Sequence, residues 1–154
     1  MRARLPRVAA TALVLLAFAG TALAATPSKT AREVQMRTVV REWSKRLNAS
    51  DNAGVAKLFA LPAVVIQGPY GYRFNTRKQV AIWHSALPCA GKIVSITIHG
   101  RYADTVFRLA NRGKTRCDAP GTLAAARFEI VKGKIVSWIQ IPVPEQKDDS
   151  ALVA

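Results

Sequence analysis

Acidic side chains are scarce in this sequence, and so are the side chains that bind metals. Nine Asp and Glu stand against 23 Lys and Arg, which gives a formal net charge of +14. The chain has two histidines and two cysteines, and neither His84 nor His99 shows the spacing of a metal ligand. No Walker loop, nucleophile elbow or dinucleotide fingerprint occurs. We therefore expect neither a metal site nor a bound cofactor.

Long hydrophobic runs are also missing. The longest, Val8–Ala19, is shorter than the roughly 20 residues that cross a bilayer. A basic head precedes this run, and small residues at Ala22 and Ala24 follow it, as in a secretory signal peptide. We predict a signal peptide over residues 1–24 and an exported protein, periplasmic or secreted. The alternative is an uncleaved anchor, which would be the chain's only contact with a membrane.

The positive charge is spread along the chain. Without the three arginines of the leader, 20 basic and nine acidic residues remain, a net charge of +11. No aromatic residues are interleaved with the basic ones, so we expect no nucleic-acid partner. A solvated basic surface is the favoured interpretation. Binding to anionic envelope polymers is the alternative, and a steep loss of binding with salt would be its signature.

The two cysteines, Cys89 and Cys117, both follow the leader. Because exported proteins fold in an oxidising compartment, we predict that they form a disulfide. Two free buried thiols are the alternative.

Hydrophobic periodicity places helices first and strands last. A stripe of Met36, Val40, Trp43 and Leu47 predicts a helix that opens near Ser28 or Thr30. A short second helix (52–60), a strand (63–67), a hairpin and a third helix capped by Thr76 follow. Period-two alternation then predicts four antiparallel strands (92–99, 102–110, 122–131 and 134–142). This order predicts an α+β domain over residues 25–144, with a flexible tail over 145–154.

Pairing across the two tight turns predicts two different faces for this sheet. The apolar face is expected to carry Val94, Ile96, Ile98, Phe107, Leu109, Phe128, Ile130, Ile135, Ile139 and Ile141. The mixed face is expected to carry Ser95, Thr97, His99, Tyr102, Asp104, Arg108, Arg127, Glu129, Trp138 and Gln140. The mixed face is either the solvent-exposed side of the sheet or the wall of a pocket. If it forms a pocket, the apolar face needs cover, most simply from a second copy in a homodimer.

The passages "LFALPAVVIQGP" and "AARFEIVKGKIVSWIQIP" resemble the nuclear transport factor 2-like superfamily. That superfamily includes ketosteroid isomerase, limonene-epoxide hydrolase and the SnoaL-like polyketide cyclases. The resemblance covers about residues 30–144 and implies a cone-shaped fold, with about three N-terminal helices packed on a curved, mainly antiparallel sheet. The motifs are structural, so they indicate a fold and not an activity.

The catalytic acids of these relatives have no match here. The isomerases' general-base Asp falls at about Gln67, and the epoxide hydrolases' Asp falls at Gln140, two residues after Trp138. The Arg-x-Asp motif that accompanies the Asp of the epoxide hydrolases aligns near Ala110 and Arg112 and is absent. The two acids of the family's "LFADD" motif align with Leu61 and Pro62 and are absent as well. Glutamine forms hydrogen bonds but transfers no proton at ordinary pH.

These replacements favour a non-catalytic function. We expect an exported SnoaL-like module that binds a small, mostly apolar ligand or serves for dimerisation. The candidate pocket residues are Gln140, Trp138, Arg127, Gln67 and Trp43. The alternative is an isomerase, cyclase or epoxide-hydrolase type of enzyme with a non-standard site. Asp104 beside His99 or Tyr102 is a weaker acid–base candidate, and a structural pair is favoured there.

Overall fold

The computed structural model describes residues 28–145. The predicted signal peptide (1–24) lies outside the described residues, as does nearly all of the predicted tail (145–154). Along the described chain the elements are α1 (Lys29–Asn48), α2 (Asn52–Lys57), β1 (Phe59–Gln67), β2 (Tyr70–Phe74), α3 (Arg77–Ser85), β3 (Cys89–His99), β4 (Tyr102–Asn111), β5 (Leu123–Val131) and β6 (Lys134–Ile141). None of these helices is long and apolar enough to cross a membrane.

Side-chain caps set where the two longer helices begin. The Ser28 hydroxyl accepts a hydrogen bond from the Ala31 N–H at 3.2 Å, which starts α1 where the sequence predicted a helix. Thr76 and Gln79 form a reciprocal capping box at the start of α3. These caps satisfy backbone N–H groups that have no partner within the helix.

The strands form one curved six-stranded sheet in the order β2-β1-β6-β5-β4-β3. All neighbours are antiparallel except β1 and β6, which are parallel. The predicted α+β architecture, with three helices on a curved and mostly antiparallel sheet, is confirmed.

The boundary between α2 and β1 differs from the prediction. The helix ends at Lys57, and the strand already begins at Phe59. Pro62, which falls between the predicted helix (52–60) and the predicted strand (63–67), lies inside β1. Phe59 pairs with Ile135 of β6, a contact between residues far apart in sequence that local spacing does not reveal.

Two bulges decide which side chains face the helices. Val94 is an extra residue in β3, and Val136 is an extra residue in β6. Beyond a one-residue bulge, every following side chain changes to the other face of the sheet. Trp138 therefore pairs with Phe128, and Ile139 pairs with Arg127. The predicted placement of Arg127 and Glu129 on one face with Trp138 and Gln140 is wrong for this reason.

The apolar face packs against the helices. Phe107, Phe128, Ile130 and Ile135 are all buried within one chain, against a group of α1 residues that includes Met36, Val40, Trp43 and Leu47. Because the chain's own helices cover these four side chains, the predicted homodimer stays a prediction and needs another surface. The opposite face of the sheet is not covered by the helices, and we call it the outer face. It carries the cross-strand pairs Asp104–Arg127 and Tyr102–Glu129, together with Val106, Ala125, Ile139 and Ile141.

Helix α1 is fixed along the edge strand β3 by side chains that bind strand carbonyls. Arg32 donates to the Gly100 carbonyl at 2.8 Å, and Arg37 donates to the Ile96 carbonyl at 2.6 Å. Through its last residue, Asn48, α1 bonds both the carbonyl and the N–H of Gly91. These bonds occupy edge groups that are otherwise free to pair with another chain.

Candidate functional site

A cavity of about 300 Å³ opens between the C-terminal half of α1 and one end of the sheet. We call it the helix-side cavity. Its walls come from α1, the start of β3, the β4–β5 loop and the last residues of β1 and β6. It is lined by Trp43, Ser44, Leu47, Asn48, Gln67, Leu87, Pro88, Cys89, Ala90, Gly91, Phe107, Leu109, Asp118, Ala119, Ala124, Ala125, Ala126, Trp138 and Gln140.

Aromatic rings form the deep wall of this cavity. The Trp43 ring lies 5.7 Å from that of Phe107 and 6.5 Å from that of Trp138, measured between centroids. Beneath it, Phe128 meets Trp43 edge to face at 5.0 Å. Such arrangements suit aromatic pairs, and they hold the rings in fixed positions. The wall is therefore a preformed apolar surface of the kind that small-molecule sites present.

Two glutamines stand side by side among the cavity residues. In the parallel pair of β1 and β6, Ile66 aligns with Ile139, so Gln67 and Gln140 follow as the next residues on neighbouring strands. Both line the cavity, Gln67 half-buried and Gln140 exposed. The structure thus brings four of the candidate pocket residues, Trp43, Gln67, Trp138 and Gln140, around one space.

Arg127, the fifth candidate, does not join them. It lies on the outer face, where its guanidinium donates two hydrogen bonds to the Asp104 carboxylate, both at 2.7 Å. This paired contact raises the pKa of Arg127 above its ordinary value. Asp104 is therefore bound to an arginine and does not pair with His99 or Tyr102. The Tyr102 ring instead lies 5.5 Å from the guanidinium of Arg127 and 5.5 Å from that of Arg101.

His84 is buried directly behind the aromatic wall. Its Nε2 accepts a hydrogen bond from the Trp43 indole N–H at 3.0 Å, and its Nδ1 lies 2.8 Å from the Val80 carbonyl. An acceptor at Nε2 and a donor at Nδ1 define the neutral tautomer. Burial lowers the pKa of His84 to about 4, with the nearby positive charge of Arg112 acting in the same direction. His84 thus fixes Trp43 and does not itself line the cavity.

Arg112 ties the start of the β4–β5 loop to the helices. This buried guanidinium donates to the carbonyls of His84 and Leu87 and to the side-chain oxygen of Asn52. No carboxylate of residues 28–145 lies within salt-bridge distance of it. Burial accordingly lowers the pKa of Arg112. It thereby links the start of the β4–β5 loop to α2 through Asn52 and to the C-terminal end of α3 through the His84 and Leu87 carbonyls.

The disulfide closes the same loop onto β3. Cys89 and Cys117 are bonded, with their Cα atoms 4.5 Å apart, which confirms the predicted bridge. Cys89 lines the cavity, and Asp118 and Ala119 follow Cys117 at its rim. The bridge therefore connects the two segments between which the cavity opens.

The chemistry available around the cavity is limited. Asp118, which is exposed, is its one ionisable side chain, and no lysine or arginine of residues 28–145 lines it. No group of three potential metal ligands occurs in that part of the chain. Sequence reasoning missed the positions of His84 and Arg112. The spacing of four between Val80 and His84 would have placed the histidine on the buried side of α3, whereas nothing local marks Arg112.

No protein-family model and no curated protein matches the sequence. Solved structures do match its fold. An NTF2-like protein of unknown function from Burkholderia xenovorans is 18% identical with a TM-score of 0.56, over 80% of this chain and 96% of that one. A second NTF2-like protein of unknown function, from Cytophaga hutchinsonii, is 14% identical with a TM-score of 0.56. The match covers 68% of this chain and 87% of that one. A protein with a ketosteroid isomerase-like fold from Catenulispora acidiphila, solved with trimethylamine, is 15% identical with a TM-score of 0.53. The match covers 68% of this chain and 84% of that one. The chain therefore has the cone-shaped NTF2-like fold that its motifs resemble.

Proposed function

We propose that this chain is an exported, non-catalytic protein that holds a small, largely apolar ligand in the helix-side cavity. The observation that carries the proposal is the cavity lining, which combines an aromatic wall with two amides and has no acid–base pair. Trp43 and Trp138 supply the apolar surface, and Gln67 and Gln140 occupy the positions where the resemblance implies catalytic acids. The alternative is an enzyme of the isomerase, cyclase or epoxide-hydrolase type with a non-standard site.

Replacing Gln140 by leucine is expected to weaken ligand retention about two- to thirteenfold. One neutral hydrogen bond contributes about 0.5–1.5 kcal/mol, which corresponds to that range of affinity. Because the Gln140 side chain is exposed, the thermal midpoint is expected to change little. Native mass spectrometry of the purified chain, followed by solvent extraction, measures the retained compound. Equal retention in both proteins would remove Gln140 from the site.

Turnover assays separate the binding function from the enzymatic alternative. The full chain is incubated with a panel of 5-ene-3-ketosteroids and aliphatic epoxides. We expect no product above the buffer rate, because Gln67 and Gln140 provide no proton-transfer group. Product formation that the double variant Gln67→Leu/Gln140→Leu abolishes would replace the binding proposal with the enzymatic one.

We also propose that two copies associate through the outer face. This face has exposed apolar side chains, with Val64 and Ile66 each 37% exposed and Val94 45% exposed. It is also where acids neutralise arginines in this basic chain, through Asp104–Arg127 and Glu129–Arg101. These two ion pairs lower the repulsion between two positively charged copies when their outer faces meet.

Sedimentation equilibrium tests this association. Ile66→Asp places a charge on the outer face and is expected to convert a dimer into a monomer. The matched control is Ile82→Asp on α3, where the isoleucine is 58% exposed but lies away from the sheet, and it is expected to remain dimeric. A wild-type chain that stays monomeric at high concentration would contradict the proposal.

A further inference from the structure

The two glutamine amides of the helix-side cavity have no hydrogen-bond partner among residues 28–145. Two other polar side chains of the wall are occupied: Ser44 donates to the Gly91 carbonyl at 3.2 Å, and Asn48 bonds both the carbonyl and the N–H of Gly91 at 3.0 Å. The buried indole N–H of Trp138 has no partner among residues 28–145. Gln67 and Gln140 make no such bond within that part of the chain. Each keeps one acceptor and two donors available to whatever fills the space.

The arrangement of the two amides favours a ligand with one particular kind of polar edge. Side chains on neighbouring strands stand roughly 5 Å apart, so both amides can reach one edge of a single molecule. A lactam or carboxamide edge carries one donor and one acceptor side by side, which is complementary to an amide oxygen beside an amide N–H₂. A hydrocarbon edge would leave these groups without partners wherever it displaced water from them.

The charges near the cavity argue against an anionic ligand. The chain has 23 Lys and Arg, yet none within residues 28–145 lines the cavity, so an anion finds no counter-charge there. Among residues 28–145 the one acidic side chain of the wall is Asp118, which disfavours an anion and lies exposed to water. The burial of an anion against Trp43, Phe107 and Trp138 would cost desolvation energy that no cationic side chain of the wall offsets.

We infer that the cavity selects neutral, flat, largely apolar compounds with a lactam- or carboxamide-like edge, and that Gln67 and Gln140 recognise that edge. This inference rests on the proposed ligand-binding function and adds the chemical class of the ligand. The aromatic wall receives the apolar ring system, and the paired amides fix its orientation.

Three bicyclic probes of similar size test the selectivity. The full chain is titrated with 2-quinolinone, naphthalene and 2-naphthoate while tryptophan fluorescence is followed, since Trp43 and Trp138 line the cavity. We expect 2-quinolinone to bind about tenfold more tightly than naphthalene, as two hydrogen bonds of ordinary strength would give. We expect 2-naphthoate to bind most weakly.

Variants assign the selectivity to the two amides. In Gln67→Leu/Gln140→Leu the preference for 2-quinolinone over naphthalene is expected to disappear, with naphthalene bound at least as tightly as by the wild type. Gln35→Leu, an exposed substitution on α1 outside the cavity, is expected to leave all three affinities unchanged. If the double variant unfolds, Gln67→Ala and Gln140→Ala are measured singly, each with a smaller loss of preference expected.

The outcomes separate the inference from the function on which it rests. Equal binding of 2-quinolinone and naphthalene by the wild type overturns the inference, and so does a preference that survives in the double variant; both leave the cavity as an apolar binding site. Tightest binding of 2-naphthoate also overturns it. If none of the three probes binds, the proposed ligand-binding function fails, and the inference fails with it.

Discussion

The free energy of unfolding is expected to fall by roughly 3 kcal/mol between pH 7 and pH 4 because of His84 alone. Burial holds the pKa of His84 at about 4 in the native state, while an unfolded histidine titrates near its ordinary value of 6.5. Between these two values the unfolded chain binds a proton that the native chain excludes. Protonation therefore favours unfolding. The contribution of His84 to the free energy of unfolding is complete above pH 6.5 and is lost as the pH falls towards 4.

Urea unfolding of the wild type and of His84→Gln over this pH range measures the effect. Glutamine has no proton to gain here, and its amide is able to donate to Val80 and accept from Trp43. The difference between the two pH profiles isolates the histidine, because the carboxylates titrate in both proteins. His99→Gln, at an exposed position, is the matched control and is expected to follow the wild-type profile.

A second measurement covers the case in which His84→Gln does not fold. In the wild type, the ring resonances of His84 are expected to stay constant from pH 8 down to about pH 5. Titration of His84 near 6.5 would contradict both its burial and the pH dependence that follows from it.

Local signals in the sequence were enough to predict most elements of the fold. Ser28 and Thr76 begin α1 and α3 because each provides a capping oxygen where the apolar stripe starts. Lys132 and Gly133 have φ values of 50° and 72°, the positive values that a tight hairpin turn between β5 and β6 requires. These features act over a few residues, so spacing and residue type reveal them.

The faces of the sheet could not be predicted in the same way. The strand β6 reads Ile, Val, Ser, Trp, Ile, Gln, Ile from residue 135 to 141, with apolar side chains on both sides. A bulge at Val136 is compatible with this pattern and so is an unbroken strand, and only packing against the other strands decides between them. The one-residue bulge places Trp138 and Gln140 on the face that carries Phe128 and leaves Arg127 on the opposite face.

The candidate site could also be predicted only in part. Trp43, Gln67, Trp138 and Gln140 were brought together by resemblance to a known fold, and the parallel pairing of β1 with β6 places the two glutamines on adjacent strands. Arg112 could not be found from the sequence, because a loop arginine normally points into water. Its burial depends on carbonyl groups at the end of α3 that only the folded chain brings to it.

Loss of the disulfide is expected to lower the free energy of unfolding by about 3–4 kcal/mol, more than any substitution in the cavity mouth. The bridge joins residues separated by 28 positions in sequence, and without it the unfolded chain gains the freedom of that whole loop. For a domain of this size the thermal midpoint should fall by roughly 10–20 °C.

Cys89→Ala/Cys117→Ala tests this expectation against the reduced wild type. Dithiothreitol is expected to lower the thermal midpoint of the wild type towards that of the double variant and to leave the variant itself unchanged. Because Cys89, Asp118 and Ala119 form part of the cavity rim, naphthalene binding is also expected to weaken in the variant at temperatures where it remains folded. An unchanged midpoint on reduction would show that Arg112 and its three acceptors, and not the bridge, hold the β4–β5 loop against the helices.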